Sequence, residues 1–170
     1  KELTPDRFTI ELALIPLVDQ GRIADLLQLL QTFRTSHEMK YVLQNAFSTY
    51  LLTLVKAGEV DIARAIFDTC LLSPSLEQAD TTIEIMERVR KEGVELSFRP
   101  LKPIIRHFNA LFEGYKMLND PYKKKYESNS QTSPLVHCLT LFEHMKCQNV
   151  LPDSYSTTLL MSLQKNPKDI

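Results

Sequence analysis

Two short amphipathic segments joined by a glycine turn, Phe47 to Cys70 (FSTYLLTLVKAGEVDIARAIFDTC), restrict what this chain can fold into more than any other stretch. The first segment places Phe47, Tyr50, Leu51, Leu54 and Val55 on one side, at spacings of three and four. The second does the same with Val60, Ala63, Ile66, Phe67 and Cys70. That is the period of an α-helix with one buried stripe. Gly58 follows Lys56-Ala57 and can take a left-handed conformation without a Cβ penalty, so the pair reads as a helical hairpin. A hairpin of this size cannot bury its apolar face alone. It needs neighbours of the same shape.

Degraded copies of the hairpin are present. Gly21 stands where Gly58 does, 37 residues earlier. Phe8 to Leu12 then aligns with Asn45 to Thr49, and Arg22 to Leu26 with Glu59 to Ala63. A third match is Leu141 to Met145, which ends like a second helix. Leu151-Pro152-Asp153 follows it, with a new first helix at Ser154-Tyr155. The chain opens with the same punctuation, Leu3-Thr4-Pro5-Asp6. Repeated hairpins predict an all-α protein, an α-solenoid of antiparallel helical hairpins with three to four repeats, open at both ends. It forms a single helical-repeat domain over 1–170, with repeats at about 7–43 and 44–74. A degenerate part, 75–97, comes next, then 98–153 with a loop insertion at 119–133, and a partial repeat at 154–170.

Composition fits. The chain has 170 residues, enough for one core, with 44% hydrophobic residues and 4 glycines. The longest apolar run, Leu12 to Val18, is interrupted by Pro16 and falls well short of the roughly 20 residues of a membrane span. Cys70, Cys138 and Cys147 are an odd number without CxxC spacing, which argues against a disulfide framework and for a reducing compartment. A net charge of −1 excludes a chain that binds nucleic acid by bulk charge, so any RNA contact must be local. Lys1 falls inside an inter-repeat linker, which predicts a mature or trimmed piece of a longer chain.

Along the chain, Asp6 is placed to cap a helix over Arg7 to Asp19, and Pro16 should kink or end it. A second helix is expected from Arg22 to Arg34, followed by a polar linker to Lys40. The organising hairpin starts near Tyr41 or Gln44. Leu72-Ser73-Pro74 ends it. Ser75-Leu76-Glu77-Gln78 reads as a capping box, opening a helix to about Lys91 with Ala79, Ile83, Met86 and Val89 apolar. Gly93 stops that helix, and no first helix precedes it. Ser97 to Leu118 should be one long helix, with Pro100 and Pro103 in its first turns. Asn119 to Ser133 reads as an exposed, mobile insertion. Ser133 and Asp153 cap the last two helices, which run to about Lys146 and Gln164.

No catalytic constellation stands out: there is no Gly-rich phosphate loop and no nucleophile elbow, so the chain reads as non-catalytic, with no cofactor. His137, Cys138, His144 and Cys147 are the nearest thing to a metal set. Cys138 falls at a small core position and the histidines on the opposite, solvated face, so no metal is expected.

A helix pair of about 35 residues with Pro-Asp between repeats resembles the pentatricopeptide repeat family. LTPDRFTIELALIPLVDQGRIADLLQLL, KAGEVDIARAIFD and FEHMKCQNVLPDSYSTTLLMSL carry the resemblance, over a little more than half of the chain. Tetratricopeptide repeats are the nearest alternative. They favour a Trp-containing first helix, and this chain has no Trp. The resemblance implies recognition of single-stranded RNA, about one base per repeat, in a groove lined by first helices. Carried onto this chain, Ser48 and Thr158 resemble base readers, Phe8 and Tyr155 resemble stacking residues, and Asp6 and Asp153 fall at the linker position. Helix capping by the two aspartates, and packing of the two aromatics against the next repeat, are the plainer alternatives. Glu11 and Lys102 depart from the pattern at the reading position, as do Asn45 and Arg99 at the stacking position. A carboxylate at Glu11 would repel phosphates.

Arg99, Lys102 and Arg106 are spaced three and four apart and would share a face of the expected long helix. They could hold a phosphate backbone without reading sequence. Lys123, Lys124 and Lys125 add positive charge in the insertion. The resemblance implies a mitochondrial or, alternatively, chloroplast protein of RNA processing, stability or translation. Its partners would be single-stranded or ribosomal RNA. The degenerate readers also fit a scaffold of a mitochondrial ribosome or other organellar complex, with neighbouring proteins as partners. A third reading, the RNA-binding arm of a processing enzyme, needs a carboxylate-rich metal domain outside these residues.

Overall fold

The computed structural model describes residues 6–20, 22, 24–25, 28–29, 40–72, 76, 78–93, 102–120 and 132–164. Among these there are seven α-helices longer than a turn or two and no strand: α1 (Arg7–Asp19), α2 (Lys40–Ala57), α3 (Val60–Leu71), α4 (Asp80–Lys91), α5 (Ile105–Leu118), α6 (Pro134–Cys147) and α7 (Ser154–Gln164). None is long and apolar enough to cross a membrane.

The α2–α3 hairpin forms as its residues dictate. Gly58 has φ 96°. Its N–H donates to the Val55 carbonyl at 3.0 Å, and Glu59 N–H donates to Leu54 at 2.9 Å. This is a Schellman turn, which satisfies the last carbonyls of α2. Phe47, Leu51 and Leu54 from α2 and Ile66, Phe67 and Cys70 from α3 are buried. Leu72 is extended and ends α3.

Asp6 caps α1: its Oδ1 accepts from Thr9 N at 2.8 Å and from Thr9 Oγ1 at 2.6 Å. The helix does not stop at Pro16 but continues to Asp19. Pro16 and Leu12 are exposed, so water can reach the carbonyl that the proline leaves without a donor. Of the expected 22–34 helix, Ala24, Asp25, Gln28 and Leu29 are helical and Arg22 is not; the rest lies outside the described residues.

Two boundaries differ from the sequence expectation. The Ser75–Gln78 stretch does not open α4, since Gln78 and Ala79 are non-helical and the helix starts at Asp80. Its cap comes from another helix. Asp68 Oδ2 on α3 accepts from Ala79 N at 3.1 Å and from Thr82 Oγ1 at 2.8 Å. The buried residues of α4 are accordingly Thr81, Thr82 and Val89, while Ile83 is turned outward. The long helix from Ser97 is also corrected. Residues 94–101 lie outside the description, Lys102 to Ile104 are non-helical, and α5 begins at Ile105. Pro103 disfavours helical geometry at Lys102. Ile104 is extended, at φ −122° and ψ 161°.

Four helices pack in succession: α1 on α2, α2 on α5, and α5 on α7. On the other side α3 packs against α2, α4 and α5, and α6 against α5 and α7. Thus α5 follows α2 directly in space, and α4 is an added helix seated on α3. The core between the two sets contains Phe67 and Phe108 in edge contact at 5.0 Å, with Leu111, Phe112, Leu141 and Met145. Gly114 allows the close approach of α5: a Cβ there would lie 3.0 Å from Val55 and 3.1 Å from Val60.

Candidate nucleic-acid interface

The face made by α2, α5 and α7 carries an open groove of about 340 Å³. From α2 it is lined by Asn45, Ser48, Thr49 and Leu52, from α5 by Arg106, Asn109, Ala110 and Glu113, and from α7 by Tyr155. On α5 the positions 106, 109 and 113 recur at three and four, the spacing that keeps side chains on one helical face.

Buried His107 and half-buried Gln44 tie the start of α5 to α2. His107 is fully buried, at 0% exposure. Its Nδ1 accepts from Ile104 N at 3.1 Å, and its Nε2 lies 2.8 Å from the Gln44 carbonyl. An acceptor at Nδ1 and a carbonyl at Nε2 require the neutral tautomer protonated on Nε2. Burial pushes this imidazole down to about 4, with the Gln44 carbonyl opposing. The Gln44 amide donates to the Lys102 carbonyl at 2.9 Å. Together they fix the start of α5, and with it Arg106, against α2.

Asp153 organises the α7 end. Its Oδ1 accepts from Ser156 N at 2.8 Å, while Ser156 Oγ accepts from Asp153 N at 2.9 Å, a reciprocal cap. The Ser156 N–H is the main reason its carboxyl sits below the usual range. Asn109 Nδ2 donates to both Asp153 oxygens, at 3.2 and 3.4 Å. An ionised carboxylate only accepts, so this contact fixes the amide orientation. Asn109 Oδ1 is then buried without a partner among the described residues. The Tyr155 hydroxyl donates to Glu113 Oε2 at 3.0 Å. Its pKa is raised, by burial first and by Glu113 second, so the phenol remains a donor. Tyr155 as a whole stays 51% exposed.

The structure therefore brings together Ser48, Arg106 and Tyr155 from the sequence-derived set, and Asp153 bonds Asn109 on the same groove. Ser48 Oγ is engaged with the Gln44 carbonyl at 3.1 Å. Phe8 and Thr158 are exposed on α1 and α7 and do not line this groove; Thr158 Oγ1 donates to the Ser154 carbonyl at 2.7 Å. Lys102 is exposed but precedes α5, so it does not share a helix face with Arg106; Arg99 lies outside the described residues. Asn109 and Glu113 were missed. Their spacing from Arg106 was visible, but the helix start at Ile105 instead of Ser97 was not.

The histidines of α6 also differ from expectation. His144 is buried, and His137 is half-buried, stacked on Tyr115 at 4.9 Å and 12°. Beneath His137 lies a buried pair that the sequence reading passed over, Arg64 Nε on Asp68 Oδ1 at 2.6 Å. Burial pulls the guanidinium down, and Asp68 and then Tyr115 outweigh it, so the net shift is upward.

Compared with protein-family models and with curated proteins, the chain matches none.

Proposed function

We propose that the chain is a non-catalytic, pentatricopeptide-like α-solenoid module that binds single-stranded RNA along the α2–α5–α7 groove, in organellar RNA processing, stability or translation. One observation carries the reading. Three side chains picked for RNA contact from separate repeats, Ser48, Arg106 and Tyr155, line one groove across three successively packed helices. An exposed aromatic ring beside an exposed guanidinium is the pairing that single-strand binders use: the ring stacks a base and the cation takes phosphate. Counted from the observed helix starts, Arg106 and Tyr155 are each the second residue, of α5 and α7, whereas Asn45 is the sixth of α2. Ser48 and Asn109 follow three residues later on α2 and α5. This moves the third repeat's contact positions from Arg99 and Lys102 to Arg106 and Asn109.

A filter-binding titration with single-stranded RNA tests the reading. Tyr155→Ala should weaken binding about 5- to 100-fold, the range expected for loss of one base stack. Arg106→Glu should weaken it and reduce the log–log salt slope by roughly 0.7. Unchanged affinity in both variants would remove the groove reading.

A second reading, a scaffold subunit of a mitochondrial ribosome or other organellar complex, draws on α1. Phe8, Leu12, Ala13, Ile15 and Pro16 on this helix are exposed. A contiguous apolar helix face is a protein-contact feature. Comigration with a ribosomal subunit at high salt would favour it.

A further inference from the structure

We infer that the cavity between α3, α4 and α6 is a second binding site, one that takes a small carboxylate, with the Arg64 guanidinium as its anchor and the first turn of α4 as its second donor. It shares no lining residue with the α2–α5–α7 groove, so it does not rest on the RNA-binding reading. Its volume is about 150 Å³, half of the roughly 300 Å³ at which pockets for whole small molecules begin. That size suits one charged group with a short tail.

Arg64 carries the inference. It lines the cavity, yet it is 1% exposed. Its Nε donates to Asp68 Oδ1 at 2.6 Å, and its Nη1 has no hydrogen-bond partner among the described residues. Asp68 is shared: its other oxygen accepts from Ala79 N and Thr82 Oγ1. One carboxylate thus serves three separate donors, and the guanidinium is left incompletely matched. A buried charged donor without an acceptor is costly, and a carboxylate fits the planar guanidinium fork.

The start of α4 points to the same ligand. Thr82 N and Ile83 N both donate to the Ala79 carbonyl, and no side chain of Ala79 caps the helix. The N–H groups of Asp80 and Thr81 come before any intrahelical acceptor, and a helix N-terminus in that state favours an anion. Ala79 and Asp80 line the cavity with Arg64. The charge of Arg64 is felt at the α6 wall. After burial, it does most to hold the His137 imidazole below its ordinary range, while Asp61, Asp68 and Asp80 oppose it. Asp80 lines the cavity and is exposed, so an entering anion meets its charge. A carboxylate brings one negative charge and a phosphate close to two, so the carboxylate is the better match. Gln78 and Asp80 are exposed side chains with mobile rotamers, so an entering carboxylate can displace them to meet Nη1.

The test is an NMR titration of the ¹⁵N-labelled full chain with sodium acetate, sodium phosphate or sodium chloride at constant ionic strength and neutral pH. It follows the Arg64 Nε–H and the amides of Asp80 and Thr81. Acetate should give saturating shifts at all three, phosphate should bind about two- to fivefold more weakly, and chloride should not saturate. Asp80→Asn should tighten acetate about two- to fivefold, the range for one exposed like charge. Val136→Glu should abolish saturation. That position lines the cavity, is 49% exposed and lies in the first turn of α6, where a carboxylate suits the helix. Acetate shifts that do not saturate overturn the inference, as do equal shifts with chloride. Tighter binding of phosphate than of acetate overturns the carboxylate assignment. Saturation that persists unchanged in both variants places the ligand elsewhere and overturns the site.

Discussion

Acidification should destabilise this protein through His107 before its carboxylates titrate. The imidazole is neutral in the fold because both nitrogens are committed: Nδ1 to the Ile104 N–H and Nε2–H to the Gln44 carbonyl. A proton on Nδ1 would face the Ile104 N–H directly and release the cap of α5. Its pKa falls from 6.5 to about 4 on folding. Below 6.5 the unfolded chain binds a proton that the folded chain refuses, so stability falls as pH falls through that window and levels off near 4. At 1.36 kcal/mol per pH unit the full effect is about 3 kcal/mol, of which about 2 kcal/mol is gone by pH 5. The assay is urea unfolding at pH 7 and pH 5 for the wild type and for His107→Gln, whose amide offers one acceptor and one donor but does not titrate. His137, also lowered by burial, is present in both and cancels. The pH 7 to pH 5 loss should be smaller in the variant by about 2 kcal/mol. An equal loss in both proteins would refute the assignment of His107 as the titrating group.

Other perturbations follow from the packing. Asp68→Ala should cost about 3–5 kcal/mol by chemical denaturation, because it strands a buried guanidinium and takes away the acceptor at the start of α4. Replacing Arg64 and Asp68 together by apolar residues should cost clearly less. Gly114→Val should destabilise by about 1–3 kcal/mol or more, since even a Cβ meets Val55 at 3.0 Å. Gly114→Ala should cost less, because the gain of about 1 kcal/mol in helix propensity offsets part of the crowding.

Local chemistry alone determined much of this protein. The stripes of α2 and α3 at spacings of three and four, the left-handed Gly58, the caps at Asp6, Ser133 and Asp153, and the stops at Leu72 and Gly93 involve residues a turn or two apart, and their geometry is written in the neighbouring side chains. Where a partner comes from far along the chain, only tertiary structure decided. Asp68 caps α4 from another helix, so Ser75–Gln78 lost its expected role. His107 and Gln44 set the start of α5 across 63 residues, and that placed Asn109 and Glu113, rather than Lys102, beside Arg106 and Tyr155. The buried Arg64–Asp68 pair reads in sequence as an ordinary surface pair of a helix. Whether a charge faces solvent or core depends on the desolvation imposed by neighbouring helices, which no local pattern encodes.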